Sequence, residues 1–521
     1  MKKISFLFFM GMAVLTTSCK KYLDINNNPN QGTTAYATPQ LIMPQALTGT
    51  AASLNTYNSY GSQLGGYAAN AGGYGGFGQS ISYNFSSTFF SGLWTGPYDN
   101  LEDYQTILNG CKDATYSYFA GVSRIMMAYN YQLLVDTYND IPYANALQGA
   151  NNLTPKYTAA ADVYKDIASQ IDTAITLINT GSKTPGVIPL GNLDVIFGGD
   201  LTKWKQFANT LKLRILLRGN GKVTFANSTF TADGFLTTNA LVNPGYTKDN
   251  GKQNPKWDSW AFSYTGGDVG KSWMPNTFVF SFYNGVKLSD PYRGAAIYYQ
   301  FPKTGINRLG VENNNVPSSV SGGFWYPAVN RAGTSAVDTV GVLKSPSAGF
   351  PVITAAESYF LQAEGVVRGL IPGNAATLFN QGITASFTYL YTKGDGTTIV
   401  GNPAGDAAKY LTDNATSPLV NFALATTLNQ QVEAIITQKY IALNFVNSQE
   451  GWNEYRRTHY PTISSAAGAD GTQTFASSVS ESTRPDKLPT RLLYPGSEGA
   501  YNTANVPKNI SVYSSLIFWA L

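Results

Sequence analysis

The sequence has little of the chemistry on which many enzymes depend. It contains one histidine, His459, and two cysteines among 521 residues. A single imidazole excludes any site that needs two or three histidines, and a lone histidine beside two arginines is typical of a surface or helix-capping group. Charged residues make up only 13% of the chain and the formal net charge is +4, so no basic surface for nucleic acid is expected.

Long hydrophobic runs are also scarce. The apolar stretch at residues 4–15 follows two lysines and is shorter than the ~20 residues that a membrane-spanning helix needs. This pattern is typical of a signal peptide, and the sequence TTSC that ends at Cys19 resembles the cleavage site of a bacterial lipoprotein. We therefore expect residues 1–18 to be a lipoprotein signal peptide and Cys19 to carry a lipid; an ordinary secreted protein is the alternative.

Lipidation of Cys19 would leave Cys111 without a disulfide partner, so Cys111 is expected to be a buried apolar thiol. Residues 19–35 are polar and are predicted to form a lipidated flexible tether. No linker divides residues 36–521, which we expect to form a single ligand-binding domain.

Apolar residues recur at three- and four-residue steps in several segments, which predicts amphipathic helices with one buried face. These segments are 119–129, 163–178, 204–215, 356–367 and 428–443. Gly219 follows the third segment and is suited to cap its C-terminal end. Helices without alternating strands predict a mainly α protein of stacked antiparallel pairs.

Between these helices lie three stretches rich in Gly, Asn, Ser, Tyr and Pro, at about residues 60–95, 240–350 and 460–510. Structureless stretches of this length are uncommon in compact domains unless they are functional. We therefore predict one body whose helices support long irregular loops.

Two patterns resemble catalytic or nucleotide-binding motifs without their context. Gly73–Gly78 matches GxGxxG, but no buried strand precedes it and no helical pattern follows, so nucleotide binding is not expected. Glu357 and Glu364 lie seven residues apart on one helical face, and two carboxylates are all that a glycosidase requires. Hydrogen bonding between helices is the favoured interpretation of this pair. No cofactor or metal motif is present in the sequence, and none is predicted.

Aromatic residues are abundant, since the 8 Trp, 34 Tyr and 27 Phe outnumber the 35 basic and 31 acidic residues. Flat rings suit the C–H faces of sugars, and neighbouring Asn, Gln, Asp and Ser can bind hydroxyl groups. Ordinary loop packing is the alternative for each ring. The candidate ligand-binding residues, all in irregular stretches, are Tyr74, Tyr83, Trp257, Trp260, Trp273 and Trp325.

Six short motifs, in order along the chain, are similar to those of the SusD/RagB family of outer-membrane nutrient-binding lipoproteins. They are YLDINNNPN at 22–30, the helix pattern of Trp94, Tyr98 and Leu101, the segment 124–143 ending in DIPY, LSDPYR at 288–293, AAESYFLQAEG at 355–365, and QKYIAL at 438–443 with GWNEYRR at 451–457. The usual Glu-Arg pair is replaced by Gln438 and Lys439, and Glu454 stands where aspartate is usual. The chain therefore resembles a divergent SusD-like branch, and the ligand cannot be inferred from the resemblance.

The resemblance implies a fold with four tetratricopeptide-like helix pairs and a loop-rich half. It also implies an outer-membrane location and a SusC-like TonB-dependent transporter as partner, with Trp94 and Trp452 in the core. Our leading hypothesis is a non-enzymatic lipoprotein that binds oligosaccharides through loop aromatics and delivers them to that transporter. A peptide-capturing SusD-like lipoprotein and a lipid-anchored glycoside hydrolase are the alternatives.

Overall fold

The structure, a computed structural model, describes residues 37–71, 76–311, 324–325 and 339–521. The predicted signal peptide, Cys19, the tether and Tyr74 lie outside the described residues. No helix among these described residues has both the length and the apolar character needed to cross a membrane.

Helices dominate the described residues, and the strands are short. In chain order the elements are α1 (Pro39–Leu64), β1 (Ala68–Asn70), α2 (Gln79–Ser82), α3 (Gly92–Gly110), α4 (Ser117–Tyr138), β2 (Ile141–Pro142), β3 (Tyr157–Thr158), α5 (Ala160–Gly181), α6 (Leu201–Gly219), β4 (Ala240–Val242), α7 (Pro255–Trp260), β5 (Trp273–Pro275), α8 (Thr277–Phe280), α9 (Pro291–Ile297), β6 (Phe350–Ile353), α10 (Ala355–Val367), α11 (Ala375–Tyr391), α12 (Pro403–Asp413), α13 (Leu428–Ala442), α14 (Ser448–Thr458) and α15 (Gly496–Tyr501). Each strand pairs with one partner, β1 with β5, β2 with β3 and β4 with β6. The prediction of a mainly α fold with a loop-rich half is confirmed.

The five helices predicted from apolar spacing are confirmed as α4, α5, α6, α10 and α13. In α5, for example, Ile167, Ile171 and Ile175 are all buried on one face. Capping side chains set several boundaries: the Thr427 hydroxyl accepts from the backbone N–H of Gln430 at the start of α13. Gly219 is the last residue of α6 rather than its cap, a position that Asn220 takes.

Packing between successive helices builds the scaffold. α1 packs on α3, α3 on α4, α4 on α5 and α5 on α6, while α10 packs on α6, α11 and α13. α1 also crosses α14 closely, because a side chain at Gly61 would place its Cβ 2.2 Å from the backbone nitrogen of Gln449. Trp94 and Trp452 lie in this core, with 5% and 0% of their surface exposed, as predicted. Cys111 is half-buried just after α3 rather than fully buried, and burial raises the pKa of its thiol to about 11.

Buried charges join the helices that carry the sequence motifs. The Arg218 guanidinium on α6 contacts the carboxylates of Asp136 on α4 and Glu450 on α14, and lies 3.5 Å from that of Glu454. All four side chains are at most 2% exposed. The indole N–H of Trp519, near the C-terminus, donates to the other oxygen of Asp136 at 2.8 Å. These contacts fix α4, α6, α14 and the C-terminal segment to one another.

The same network extends to α10 and α13. Lys439 donates to Glu454 at 3.0 Å, and Arg457 bridges Glu454 and Glu364, its distance to Glu364 being 2.7 Å. Burial alone would raise the pKa of Glu454, but Arg457, Lys439 and Arg218 hold it well below its usual range. Motif residues and Arg218, which lies outside the six motifs, therefore form one buried ion-pair network that joins the helices.

Candidate ligand-binding site

Two strands from distant parts of the chain establish the site. β1 and β5 pair antiparallel with Asn70 opposite Trp273, and the Ala71 N–H donates to the Ser272 carbonyl at 2.8 Å. This pairing holds the segment after β1 beside Trp273. As a result, the Phe77 ring lies 4.8 Å from the Trp273 ring, centroid to centroid, with the planes inclined by 48°.

Three further rings extend this pair, two in contact with Trp273 and one in contact with Phe445. Trp260, at the end of α7, meets Trp273 edge to face with 5.7 Å between centroids. Phe445, in the turn between α13 and α14, lies 4.9 Å from Trp260 and stacks on Trp325 at 4.2 Å. We call these five residues the Trp273 cluster. Four widely separated parts of the chain supply them.

The loop between α7 and β5 folds back tightly to reach Trp273. Gly270 makes this possible, because its φ is +69° and a Cβ there would lie 2.8 Å from the Trp260 Cα. The Val269 N–H then donates to the Ala261 carbonyl at 3.2 Å. This close return places the half-buried Trp273 directly beside Trp260.

Two rings of the cluster are partly accessible, and the loop that leads to Trp273 carries exposed polar and aromatic groups. Trp273 and Phe77 are half-buried, and Tyr264 on the same loop is 45% exposed. The Ser263 hydroxyl lies 3.0 Å from that of Thr265, so hydroxyl groups accompany the exposed phenol. The cluster therefore keeps two of its rings, those of Trp273 and Phe77, partly accessible to solvent.

Four of the six candidate rings do not present open faces, which corrects that part of the sequence analysis. Trp257, Trp260 and Trp325 are 2%, 2% and 1% exposed, and Tyr83 is fully buried with its phenol oxygen accepting from the Ser477 N–H at 3.0 Å. Large rings on glycine-rich segments gain more free energy by packing beneath neighbouring loops than by facing water. Ligand contact by Trp273 stays a prediction, and Tyr74 lies outside the described residues.

Sequence reasoning missed Phe445 as part of this cluster. It follows directly after the predicted helix 428–443, and its φ of +58° is uncommon for a bulky side chain. No local pattern signals this turn. An aromatic residue between two motif segments was the one available clue.

One family description matches residues 29–495: SusD-like, starch-binding and associating with the outer membrane. The match covers most of the chain and passes through both the scaffold and the Trp273 cluster. The chain belongs to the SusD-like family. SusD-like proteins bind nutrients such as carbohydrates at the outer membrane, and are generally binding proteins rather than enzymes.

Solved structures share the fold of this SusD-like protein at low sequence identity. A SusD homologue from Bacteroides fragilis is 20% identical with a TM-score of 0.63, covering 93% of this chain and 99% of its own. A chitin-binding SusD homologue from Flavobacterium johnsoniae is 21% identical with a TM-score of 0.63, covering 91% and 98%. A SusD-like protein from the Bacteroidetes is 20% identical with a TM-score of 0.67, covering 93% and 99%. Comparison with curated proteins finds no match.

The residues singled out for catalysis have structural partners in this SusD-like fold. Glu357 contacts Arg214 at 3.1 Å and Glu364 contacts Arg457 at 2.7 Å, and both carboxylates are buried. The interpretation of this pair as hydrogen bonds between helices is confirmed. His459 is exposed and caps α14 in the left-handed conformation, as its position beside two arginines indicated.

A buried lysine forms hydrogen bonds with the turn that carries Phe445 into the Trp273 cluster. The Lys256 ammonium donates to the carbonyls of Phe445 and Val446, and its Nζ lies 5.8 Å from the Trp260 ring centroid. Burial lowers the pKa of Lys256 to about 7. Lys256 therefore fixes the unusual turn that carries Phe445 into the cluster.

The stability of this SusD-like protein is expected to rise between pH 7.5 and 8.5. Unfolded Lys256 has a pKa near 10.5 and folded Lys256 one of about 7, so in this window unfolding takes up a proton. Raising the pH therefore opposes unfolding, and Lys256 contributes an increase of about 1 kcal/mol over this one pH unit. Urea denaturation followed by circular dichroism at the two pH values measures it.

Two variants separate the contribution of Lys256 to this pH dependence from the contributions of other lysines. Lys256→Met is expected to remove about 1 kcal/mol of the increase in stability. The contribution of Lys287 remains in this variant, because burial also lowers the pKa of Lys287 to about 7. Lys165→Met, which removes an exposed lysine, is expected to leave the increase unchanged. An unaltered pH dependence in Lys256→Met would show that this amine is charged in the folded protein at pH 8.

Proposed function

We propose that this protein is a non-enzymatic outer-membrane lipoprotein that binds oligosaccharides at the Trp273 cluster. It then delivers them to a SusC-like TonB-dependent transporter. In this proposal Cys19 carries the lipid anchor, residues 19–35 are the tether, and residues 36–521 form the ligand-binding domain.

The half-buried Trp273 ring is the observation that carries the proposal. Trp260 and Phe77 fix its position, while the ring stays partly accessible and the exposed Tyr264 lies on the same loop. A rigid aromatic face loses little conformational freedom when it stacks on a sugar ring. Hydroxyl groups of Ser263 and Thr265, on the loop that leads to Trp273, are suited to the sugar's own hydroxyls.

The family description and the names of similar structures also support a carbohydrate ligand. The family description names starch binding, and one similar structure is described as a chitin-binding SusD homologue. Starch and chitin are both neutral polysaccharides. A partly open, largely uncharged aromatic face is compatible with either, so the proposal is for neutral glucan-type or chitin-type oligosaccharides.

Weak binding is expected and suits a protein that must release its ligand. Each stacked ring contributes on the order of 1 kcal/mol, so a few rings give dissociation constants in the micromolar to millimolar range. Such affinity allows capture at the surface and handover to a transporter.

Calorimetric titration with maltohexaose, chitohexaose and a set of neutral hexapeptides tests the proposal. We expect heat of binding with at least one oligosaccharide, none with the peptides, and no release of reducing sugar over hours. Binding of the peptides alone would favour peptide capture. Release of reducing sugar that one Asp or Glu substitution abolishes would establish a glycoside hydrolase instead.

A further inference from the structure

A large cavity lies on the helical scaffold, outside the Trp273 cluster. It has a volume of about 790 Å³ and is bounded by Thr237–Leu241, by the outer face of α11 and by the turn at residues 396–399. Cavities of roughly 300–1,000 Å³ are usual for small-molecule ligands. We call it the threonine groove, because seven of its lining residues are threonines. It shares no lining residue with the Trp273 cluster.

The lining of the groove is polar but uncharged. Besides the threonines, the lining includes Asn239, Asn380 and Gln381. None of the described residues that line the groove is Asp, Glu, Lys or Arg. A charged ligand would lose hydration here without gaining a counter-charge, which is unfavourable. The groove therefore favours a neutral ligand rich in hydrogen-bonding groups.

The face of α11 in the groove offers both donors and acceptors. The side chains of Asn380 and Gln381 are exposed and make no hydrogen bond to other described residues. The hydroxyls of Thr384 and Thr388 donate to the carbonyls four residues earlier, each at 3.0 Å, which leaves their oxygen lone pairs to accept. Amides that donate and accept, followed by hydroxyl oxygens that accept, match the hydroxyl groups of a sugar chain.

Apolar surface completes the groove. Tyr359 is half-buried in its wall, and Ile399 at its edge is 50% exposed. Rings and aliphatic groups of this kind pack against the C–H faces of sugars, while the amides bind the hydroxyls. The groove thus combines the two kinds of contact that a neutral oligosaccharide requires.

We propose that the threonine groove is a second binding site for neutral oligosaccharides. The proposal goes beyond the function proposed above, because it needs no ligand at the Trp273 cluster. Where one polysaccharide chain spans both sites, its second contact becomes intramolecular. Binding at two sites raises the apparent affinity above that of either alone, without any new contact.

Affinity gel electrophoresis in soluble starch and in glycol chitin tests the groove. Thr388→Arg places a charge and bulk in the groove, and Asn380→Ala with Gln381→Ala removes its free amides. Thr176→Arg is the matched control, since Thr176 is an exposed threonine of α5 whose hydroxyl also donates to the carbonyl four residues earlier. Circular dichroism confirms that each variant is folded.

We expect both groove variants to weaken retention by at least one polysaccharide about tenfold in dissociation constant, with Thr176→Arg behaving as the wild type. Trp273→Ala is expected to retain the binding that depends on the groove. A variant that combines Trp273→Ala with Thr388→Arg is expected to lose it. Equal retention of Thr388→Arg and Thr176→Arg in both polysaccharides would overturn the groove as a site. Loss of retention in the groove variants, with none in Trp273→Ala, would uphold the groove and reject the Trp273 cluster.

Discussion

Arg218→Met is expected to destabilise the protein by about 3–5 kcal/mol, the usual cost of removing one partner from a buried ion pair. Arg218 is 2% exposed and contacts the buried carboxylates of Asp136 and Glu450. Without the guanidinium, these two carboxylates remain in the core next to each other. Desolvation already raises the pKa of Asp136 in spite of Arg218. Removing Arg218 therefore leaves these two carboxylates without its positive charge where α4, α6 and α14 meet.

Urea denaturation followed by far-ultraviolet circular dichroism measures this loss. Lys165→Met is the control, because its pair with Asp162 is exposed, with 48% and 61% of the two side chains accessible, and such pairs contribute roughly 0–1 kcal/mol. A loss of less than about 1 kcal/mol in Arg218→Met would contradict a stabilising role for this buried ion-pair network.

Trp273→Ala is expected to weaken oligosaccharide binding about tenfold, which corresponds to roughly 1.4 kcal/mol. The reason is twofold: the stacking face is lost, and Phe77 loses the ring that it packs against at 4.8 Å. Trp273→Phe keeps a smaller ring and is expected to lose about half of this free energy. Calorimetry with the hexasaccharide that binds the wild type measures the change.

Tyr501→Ala is the matched control for Trp273→Ala. Tyr501 is 80% exposed at the end of α15 and is not part of the Trp273 cluster, so its removal deletes an exposed ring without touching the proposed site. We expect unchanged affinity in this variant. Equal losses in Trp273→Ala and Tyr501→Ala would show that binding does not depend on the Trp273 cluster.

The helical scaffold was largely predictable because its signal is local. Four-residue spacing in α5 reports one buried face, whatever that face packs against. α11 carries the same signal in Phe379, Ile383 and Phe387, all buried, but the sequence analysis passed over it. α1 contains Pro44, and its buried positions include serine, threonine and asparagine, so apolar spacing alone does not reveal it.

The site was predictable only in part, because ring exposure is a tertiary property. Trp257 and Trp260 lie on the same short helix as the exposed Asp258 and Ser259, yet both are buried. What covers them comes from distant segments, such as Phe445 after α13. The sequence analysis named Trp260, Trp273 and Trp325 singly, whereas the position of Trp273 beside Phe77 follows from the pairing of β1 with β5.

Fluorine NMR of protein labelled with 5-fluorotryptophan tests directly whether oligosaccharides contact Trp273. The chain has eight tryptophans, and the Trp273 resonance is assigned by its absence in Trp273→Phe. On addition of a bound oligosaccharide, the account predicts that the Trp273 resonance shifts while that of the fully buried Trp204 does not. An unmoved Trp273 resonance at ligand concentrations that calorimetry shows to be saturating would contradict it.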